Sequence, residues 1–298
     1  MTGKKVYCPL CEEEIMVDYV SPYRGRDQLF SNRVLYQCQE CRLIFLHPIP
    51  NPEELNHYYK TVWTTSEETS IVYQIQAEER VRYLKNHITI PPNAKILDIG
   101  TGHGLLYEAL SQNGFPDLVF YATDPNPENL ARLRKKGIRA FSDIREIKDR
   151  DFDLIFVCSV LEHIGEPVQF LLSVKEYFKN GGYMFLDLPE RDDTFKQILE
   201  PHVTVYTIES LKNLVKKTQF SIIHCTGHGM KRSTVLLNQK QSILVKFLKS
   251  FNDRIQDWIY SRLFPSSFLT MKRNRLYREF KFNEEGIDRW WIRAILKK

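Results

Sequence analysis

An α/β fold built on a doubly wound, mostly parallel sheet is predicted for residues 93–298, and three observations predict it. Between Lys95 and Leu188, apolar runs of strand length alternate with stretches of helical period. The first run, Ile96, Leu97 and Ile99, breaks into Gly100, Gly102 and Gly104. A helix then follows with Leu105, Leu106, Ala109 and Leu110 on one face and Gly114 as its stop. Finally, aspartates close the first two strands, Asp98 and Asp124, at the strand ends where open α/β sheets bind ligands.

The chain has 298 residues and 43% hydrophobic content, enough for one large domain and a small one. Its first residues lack the apolar core of a signal peptide, and no apolar run reaches membrane-spanning length, so a cytoplasmic protein is expected. The net charge of +5 is uneven. From Lys231 onward sixteen Lys and Arg face six Asp and Glu, which leaves +10 there and −5 on the rest. This basic quarter is either a solvated face or a contact for phosphate, lipid headgroups or nucleic acid.

Residues 1–47 read as a separate small domain. Cys8-Pro-Leu-Cys11 and Cys38-Gln-Glu-Cys41 lie between strand-like segments, and two such knuckles can bring four thiolates to one tetrahedral Zn²⁺, as in a zinc ribbon. Free thiols or a redox pair is the other reading. Four thiolates would close the coordination sphere, so the metal is expected to be structural. Ser21–Asp27 is expected to form a looped-out excursion. Residues 48–92 begin with prolines 48, 50 and 52, a stiff connector, followed by a short helix at Pro52 and a longer one from Ser66 to His87.

Past the glycine turn, Leu118–Ala122 is a second strand ending at Thr123-Asp124-Pro125, and helix Pro127–Lys136 stops at Gly137. Phe152–Val157 is strand four and Tyr183–Leu188 strand five. Phe220–Cys225 would be strand six, and Arg289–Leu296 strand seven, inserted antiparallel beside strand five. The dinucleotide fingerprint needs a third glycine five residues after the first, where this chain has Leu105. What stands instead is Asp-x-Gly-x-Gly-x-Gly, whose carboxylate repels a pyrophosphate and suits an ammonium group.

That motif, with Asp124 after it and Leu161-Glu162-His163 after strand four, resembles the class I S-adenosylmethionine-dependent methyltransferases. The knuckles, proline stretch and Tyr58-Tyr59 resemble the zinc-ribbon front end of a subfamily acting on sugars and surface polysaccharides. The resemblance implies a seven-stranded, Rossmann-like sheet and S-adenosylmethionine as cofactor. Asp98, Gly100, Thr101, Gly102 and Gly104 would hold its methionine part. Asp124 and Pro125 would serve the ribose, Asp143 and Ile144 the adenine, and Ser159 would line the cleft; Asp143 also reads as a plain loop acid. In the stretch Glu200–Tyr206 only His202 and Tyr206 align with the family, so C-methyl chemistry is not implied.

His202 is the first candidate base, with His163 and Tyr206 beside it; each histidine also reads as structural. The implied acceptor is a small molecule, a sugar or glycan precursor carrying phosphate. Two other readings stand: an RNA or protein methyltransferase using the ribbon for recognition, and a silent scaffold. Nucleic acid is not the expected partner, because the ribbon half is not basic. An insertion over about 231–288 carries Ile243, Leu244, Phe247, Leu248, Phe251, Ile255, Trp258 and Ile259 on one helical face, ended by Pro265. That face would be a lid, a dimer face or a peripheral membrane contact, which would bring the protein to the inner membrane surface. The sequence leaves the oligomeric state open.

Overall fold

The structure, a computed structural model, describes residues 4–62, 71–115, 117–240 and 243–298. Strands β1 (Lys4–Cys8), β2 (Glu13–Pro22), β3 (Val34–Cys38) and β4 (Ile44–His47) form an antiparallel meander with the two cysteine knuckles at its turns. Val6, Cys8, Val17, Leu35 and Cys38 point inward. The boundary expected after residue 47 falls between β4 and α1 (Pro52–Thr61). Asn51 caps α1: its side chain accepts from the Glu54 amide at 2.8 Å while Glu54 accepts from the Asn51 amide at 2.9 Å. Helix α2 covers Ile71–His87; the expected start at Ser66 lies outside the described residues.

The main sheet then builds by βα repetition through β5 (Lys95–Ile99), α3 (Leu105–Gln112), β6 (Val119–Thr123), α4 (Pro127–Lys135), β7 (Arg139–Phe141), β8 (Phe152–Cys158), α5 (Pro167–Lys175) and β9 (Phe178–Pro189). Next come β10 (Thr204–Val205), α6 (Ile208–Lys217), β11 (Ser221–Lys231), α7 (Arg232–Lys240), α8 (Ile243–Leu263), α9 (Phe268–Phe280), β12 (Glu285–Gly286) and β13 (Arg289–Lys297). The order is β12-β11-β13-β9-β8-β5-β6-β7, with β9 through β7 parallel and β13 antiparallel to both β9 and β11. The expected antiparallel last strand is therefore present.

Two features differ from expectation. The sheet has eight strands rather than seven, because the two-residue β12 pairs with β11. Its approach depends on Gly227, where a Cβ would lie 2.3 Å from the Gly286 carbonyl. A two-residue strand carries no readable periodicity. The N-terminal meander also takes a fifth strand from beyond β9, since β10 pairs with β4. Cys8, Leu43 and Phe45 accordingly share one core cluster with Leu97, Val157 and Leu186 of the main sheet. On the opposite face, α2, α3 and α4 contribute Val81, Leu84, Leu106, Leu110 and Leu133 to a second cluster.

One polar group crosses this architecture. Asp187 on β9 is 1% exposed and pairs with Arg80 from α2 and, at 3.2 Å, with Arg293 from β13. Burial opposes its charge, but the two guanidiniums outweigh burial and hold its carboxyl below the usual range. Asp187→Ala would leave two guanidiniums without their carboxylate, and a loss of about 3–5 kcal/mol is expected. Urea unfolding followed by circular dichroism measures it; an unchanged midpoint would remove the triad as a structural tie.

Candidate active site

Strand order reverses between β5 and β8, so the ends of these two strands open a crevice. The chain leaves β5 through three glycines that all adopt positive φ, 69°, 57° and 75° at residues 100, 102 and 104. They serve different ends. A Cβ at Gly100 would lie 2.5 Å from Val160 Cγ2, and one at Gly104 would lie 2.8 Å from Leu133 Cδ2. A Cβ at Gly102 would meet nothing within 4 Å. Gly102 alone therefore presents bare backbone to open space, where a ligand can approach. At the facing strand end, Ser159 is also left-handed (φ 54°), and its amide donates to the Asp187 carbonyl at 2.7 Å.

Asp98 is buried at the end of β5. Burial pushes its carboxyl up to about 7, against the neighbouring Thr101 hydroxyl and Arg80, and with Asp124 adding to the rise. Asp124 is buried as well and already engaged. Oδ2 accepts from the Gly102 amide at 2.8 Å, and Oδ1 accepts from the Asn126 amide at 2.9 Å and Asn129 Nδ2 at 3.0 Å. A carboxylate offers about four acceptor sites, so roughly one remains, enough for one hydroxyl. Helix capping falls to Asn126, which accepts from the amides of Glu128 and Asn129. Pro125 is half-buried beside these groups.

The Asp143 carboxylate is occupied rather than open. It accepts from the Arg145 amide and side chain at 2.6–2.8 Å, caps a short 3₁₀ turn, and is held below the usual range by Arg145. Three of its roughly four acceptor sites are thus used, so the expected adenine contact through Asp143 would share the carboxylate with an exposed arginine. Ile144 next to it is half-buried against the core. Ser142, Asp143, Arg145 and Glu146 with Asn56 and Lys60 of α1 line an open cleft of about 440 Å³.

On the far side of the crevice, Glu162, His163 and His202 place side-chain donor atoms within 4.8 Å of one another. His202 Nδ1 lies 2.5 Å from Asp192 Oδ2, and Lys196 Nζ lies 3.1 Å from His202 Nε2. His163 packs edge-on against His202 at 4.7 Å between ring centres and shares a 2.9 Å hydrogen bond between Nδ1 and the Tyr59 hydroxyl. Burial, reinforced by His202, drives the His163 pKa well down, so His163 is neutral. Burial raises the Asp192 carboxyl, but His202 and Lys196 outweigh it and keep it ionised. Glu162 is pushed up by burial, and its Oε2 has no partner among the described residues. The Lys196 ammonium already supplies positive charge here, so the group is suited to holding a proton rather than a cation.

The third catalytic expectation, Tyr206, is corrected. It is fully buried in the core cluster that includes Cys8 and Leu211, and its hydroxyl has no hydrogen-bond partner among the described residues, so it does not stand beside His202 at the crevice. Sequence reasoning missed Asp192, Lys196 and Arg80. Asp192-Asp193 directly after strand five was a visible signal, whereas Arg80 sits in an ordinary helical pattern.

The cysteines converge as their spacing predicted. All four Sγ atoms lie within 4.8 Å of one another, with Cys8–Cys41 at 3.6 Å and Cys11–Cys38 at 3.7 Å. Tetrahedral zinc–thiolate bonds of about 2.3 Å put sulfurs about 3.8 Å apart, so the donor set fits one zinc ion. The amides of Cys11 and Cys41 point at Cys8 and Cys38 Sγ, at 3.5 and 3.4 Å.

Comparison with known proteins adds a family. Residues 73–225, just over half of the chain, match the family model described as a methyltransferase domain. A ubiquinone biosynthesis O-methyltransferase from Hydrogenovibrio crunogenus (strain DSM 25203 / XCL-2) is 25% identical over 182 residues, 57% of this chain and 72% of that protein. Proteins of the same name from Histophilus somni (strain 2336) and Rickettsia akari (strain Hartford) are 25% and 26% identical, over 49% and 47% of this chain and 66% and 58% of theirs. Among solved structures, a SAM-dependent methyltransferase from Archaeoglobus fulgidus aligns at 16% identity and TM-score 0.48, covering 76% of this chain and 94% of that one. The plantazolicin methyltransferase BpumL in complex with SAH aligns at 16% and 0.47, covering 84% and 91%. The match to the family model, spanning the glycine turn, both strand-end aspartates and the Leu-Glu-His turn, shows that the chain belongs to the methyltransferase-domain family and is an S-adenosylmethionine-dependent methyltransferase.

Proposed function

We propose that the protein methylates a hydroxyl group of a small-molecule acceptor, with His202 as the base. The buried Asp192–His202 contact of 2.5 Å carries this reading. An ionised Asp192 holds the proton on Nδ1, which leaves Nε2 as the atom that accepts one from the acceptor once Lys196 turns aside. The sulfonium of the bound cofactor supplies an already activated methyl group. What remains for this chain is orientation, exclusion of water and removal of one proton.

Asp98 would hold the cofactor's ammonium and Arg80 its carboxylate, because Arg80 and Arg293 together outnumber the Asp187 carboxylate they share. Gly100, Thr101 and Gly104 shape the turn, and Gly102 supplies the bare face. Asp124 would take one ribose hydroxyl beside Pro125. Ile144 would flank the adenine, and Ser159 would line the opposite wall. For the acceptor, the front-end resemblance supports a phosphate-bearing sugar or glycan precursor, and Lys196, whose side chain is about a third exposed, is placed to meet its charge. A second reading, the phenol of a quinone precursor, is favoured by the similarity to ubiquinone biosynthesis O-methyltransferases. The Cys8, Cys11, Cys38 and Cys41 thiolates would hold one structural Zn²⁺ that takes no part in the chemistry.

Calorimetric titration with S-adenosylmethionine tests the cofactor site. An Asp98 carboxyl near 7 is neutral below that pH in the empty protein, while an ammonium ligand needs it ionised. Affinity is therefore expected to fall by roughly tenfold per pH unit below 7, with proton release on binding. Gly102→Ala should fold yet bind the cofactor poorly. Constant affinity from pH 5 to 7 would remove the Asp98 assignment.

Methyl transfer to nucleotide sugars and to catechol-type phenols, assayed side by side, separates the two acceptor readings. His202→Gln is expected to lower kcat by about 10²–10⁴ with cofactor affinity unchanged, and undiminished turnover would return His202 to a loop-ordering role. The metal is tested separately. Denaturation in the presence of a zinc indicator should release about one equivalent per chain, and a metal-free, fully folded protein would exclude it.

A further inference from the structure

We propose that the outer face of α8 docks on an anionic lipid surface. The proposal does not depend on which acceptor the enzyme uses. Phe251, Ile255, Trp258, Ile259 and Leu263 follow one another at helical spacing and are 53%, 40%, 57%, 37% and 67% exposed. Phe264 and Leu269 extend the ridge past the end of the helix at 50% and 56%. So many large apolar side chains on one exposed face mark an interaction surface.

The charges decide what covers it. Asp253 and Asp257 belong to the same helix, and an acidic outer face would repel lipid phosphate. Both are turned toward α9, where Asp257 pairs with Arg275 at 2.8 Å and Lys272 at 3.0 Å, and Asp253 faces Arg275 at 3.9 Å. Helix α9 is tied in turn to α2 through Arg273–Glu78 at 2.5 Å and an Arg82–Tyr277 contact. Among the described side chains from Ser250 to Phe264, the exposed ones on the ridge are apolar, neutral polar, or the cations Arg254 and Arg262; the one acid with comparable exposure, Asp253 with 38% of its side chain exposed, lies on the side that faces Arg275 of α9. The Arg262 guanidinium lies 4.3 Å from the centre of the Trp258 ring, so a cation and an interfacial aromatic share one spot.

An apolar ridge carrying tryptophan and flanked by arginines is complementary to the headgroup–acyl boundary of an anionic bilayer. A second copy fits worse, because a two-fold contact would set Arg254 and Arg262 against themselves with no acid on the face to pair them. Crossing is not involved: among the described residues, no helix is long and apolar enough to span a membrane.

Co-sedimentation of the 298-residue chain with phosphatidylglycerol–phosphatidylcholine vesicles, against phosphatidylcholine alone, tests the proposal. Binding is expected to be at least roughly tenfold tighter to the anionic vesicles, with a blue shift of fluorescence that is absent in Trp258→Phe. Ile255→Asp with Leu263→Asp should abolish binding and leave thermal stability and cofactor titration unchanged. Arg254→Glu with Arg262→Glu should remove the preference for anionic lipid. No binding to either vesicle overturns the proposal, as does equal binding to both. Binding that survives the aspartate pair would show a merely basic surface and overturn it too. A dimer in solution that Leu263→Asp dissociates would assign the face to a second copy instead.

Discussion

Asp187 shares its carboxylate between Arg80 and Arg293, and most of the molecule is referred to that contact. Arg80 comes from the helix before the glycine turn, Asp187 from the parallel strand beside the crevice, and Arg293 from the strand that closes the chain. Three buried charges are expensive to take out of water, so they persist only where each has a partner held in place by packed elements. Two guanidiniums on one carboxylate leave a positive surplus at the strand ends, next to Asp98 at the end of β5. A surplus cation on one side and a carboxyl near 7 on the other is the charge arrangement on which the proposed seat for the cofactor's amino-acid part rests.

The acceptor side depends on a different tie. The segment between β9 and β10 carries Asp192, Lys196 and His202, and it has little regular structure of its own. It is held by the N-terminal meander. The Tyr23 hydroxyl donates to the His202 carbonyl at 2.8 Å, and Arg24 donates to the carbonyls of Asp193 and Lys196 at 2.5 and 3.1 Å. Glu200 accepts from the amides of Arg26 and Asp27 and, at 2.7 Å, from the Tyr58 hydroxyl. The excursion between the cysteine knuckles is thus a clamp on the loop that carries the candidate base. The converging thiolates matter to the chemistry only at one remove, by shaping the hairpins from which the clamp extends.

The C-terminal insertion shows how tertiary contacts change the meaning of a pattern. As a sequence, α8 has an apolar face and an acidic counter-face, which suits a lid or a dimer contact equally well. Once α9 has paired Asp257 and drawn Asp253 to its side of the helix, the ridge that faces outward is apolar and cationic. The same residues acquire a different electrostatic character because their partners lie fifteen or more residues further along.

The sequence by itself determined whatever rests on local period and close spacing. The order of strands and helices, the Asp-x-Gly-x-Gly-x-Gly turn and the paired cysteine knuckles are set by neighbours a few residues apart, where side-chain period and backbone sterics act directly. Asp98 and Asp124 stood out for the same reason, each near the end of an apolar run, whereas His202 was singled out only by the resemblance of the stretch Glu200–Tyr206. Only the tertiary structure decided which side chains are free to act. Asp143 is shared with Arg145, Tyr206 is buried in the core, and Asp124, like Asp143, has about one acceptor site left. It also supplied Asp192, Lys196 and Arg80, whose roles arise from partners on other elements. Charge pairing and burial act through space, so a chain read in one dimension shows which groups are present but not which are already satisfied.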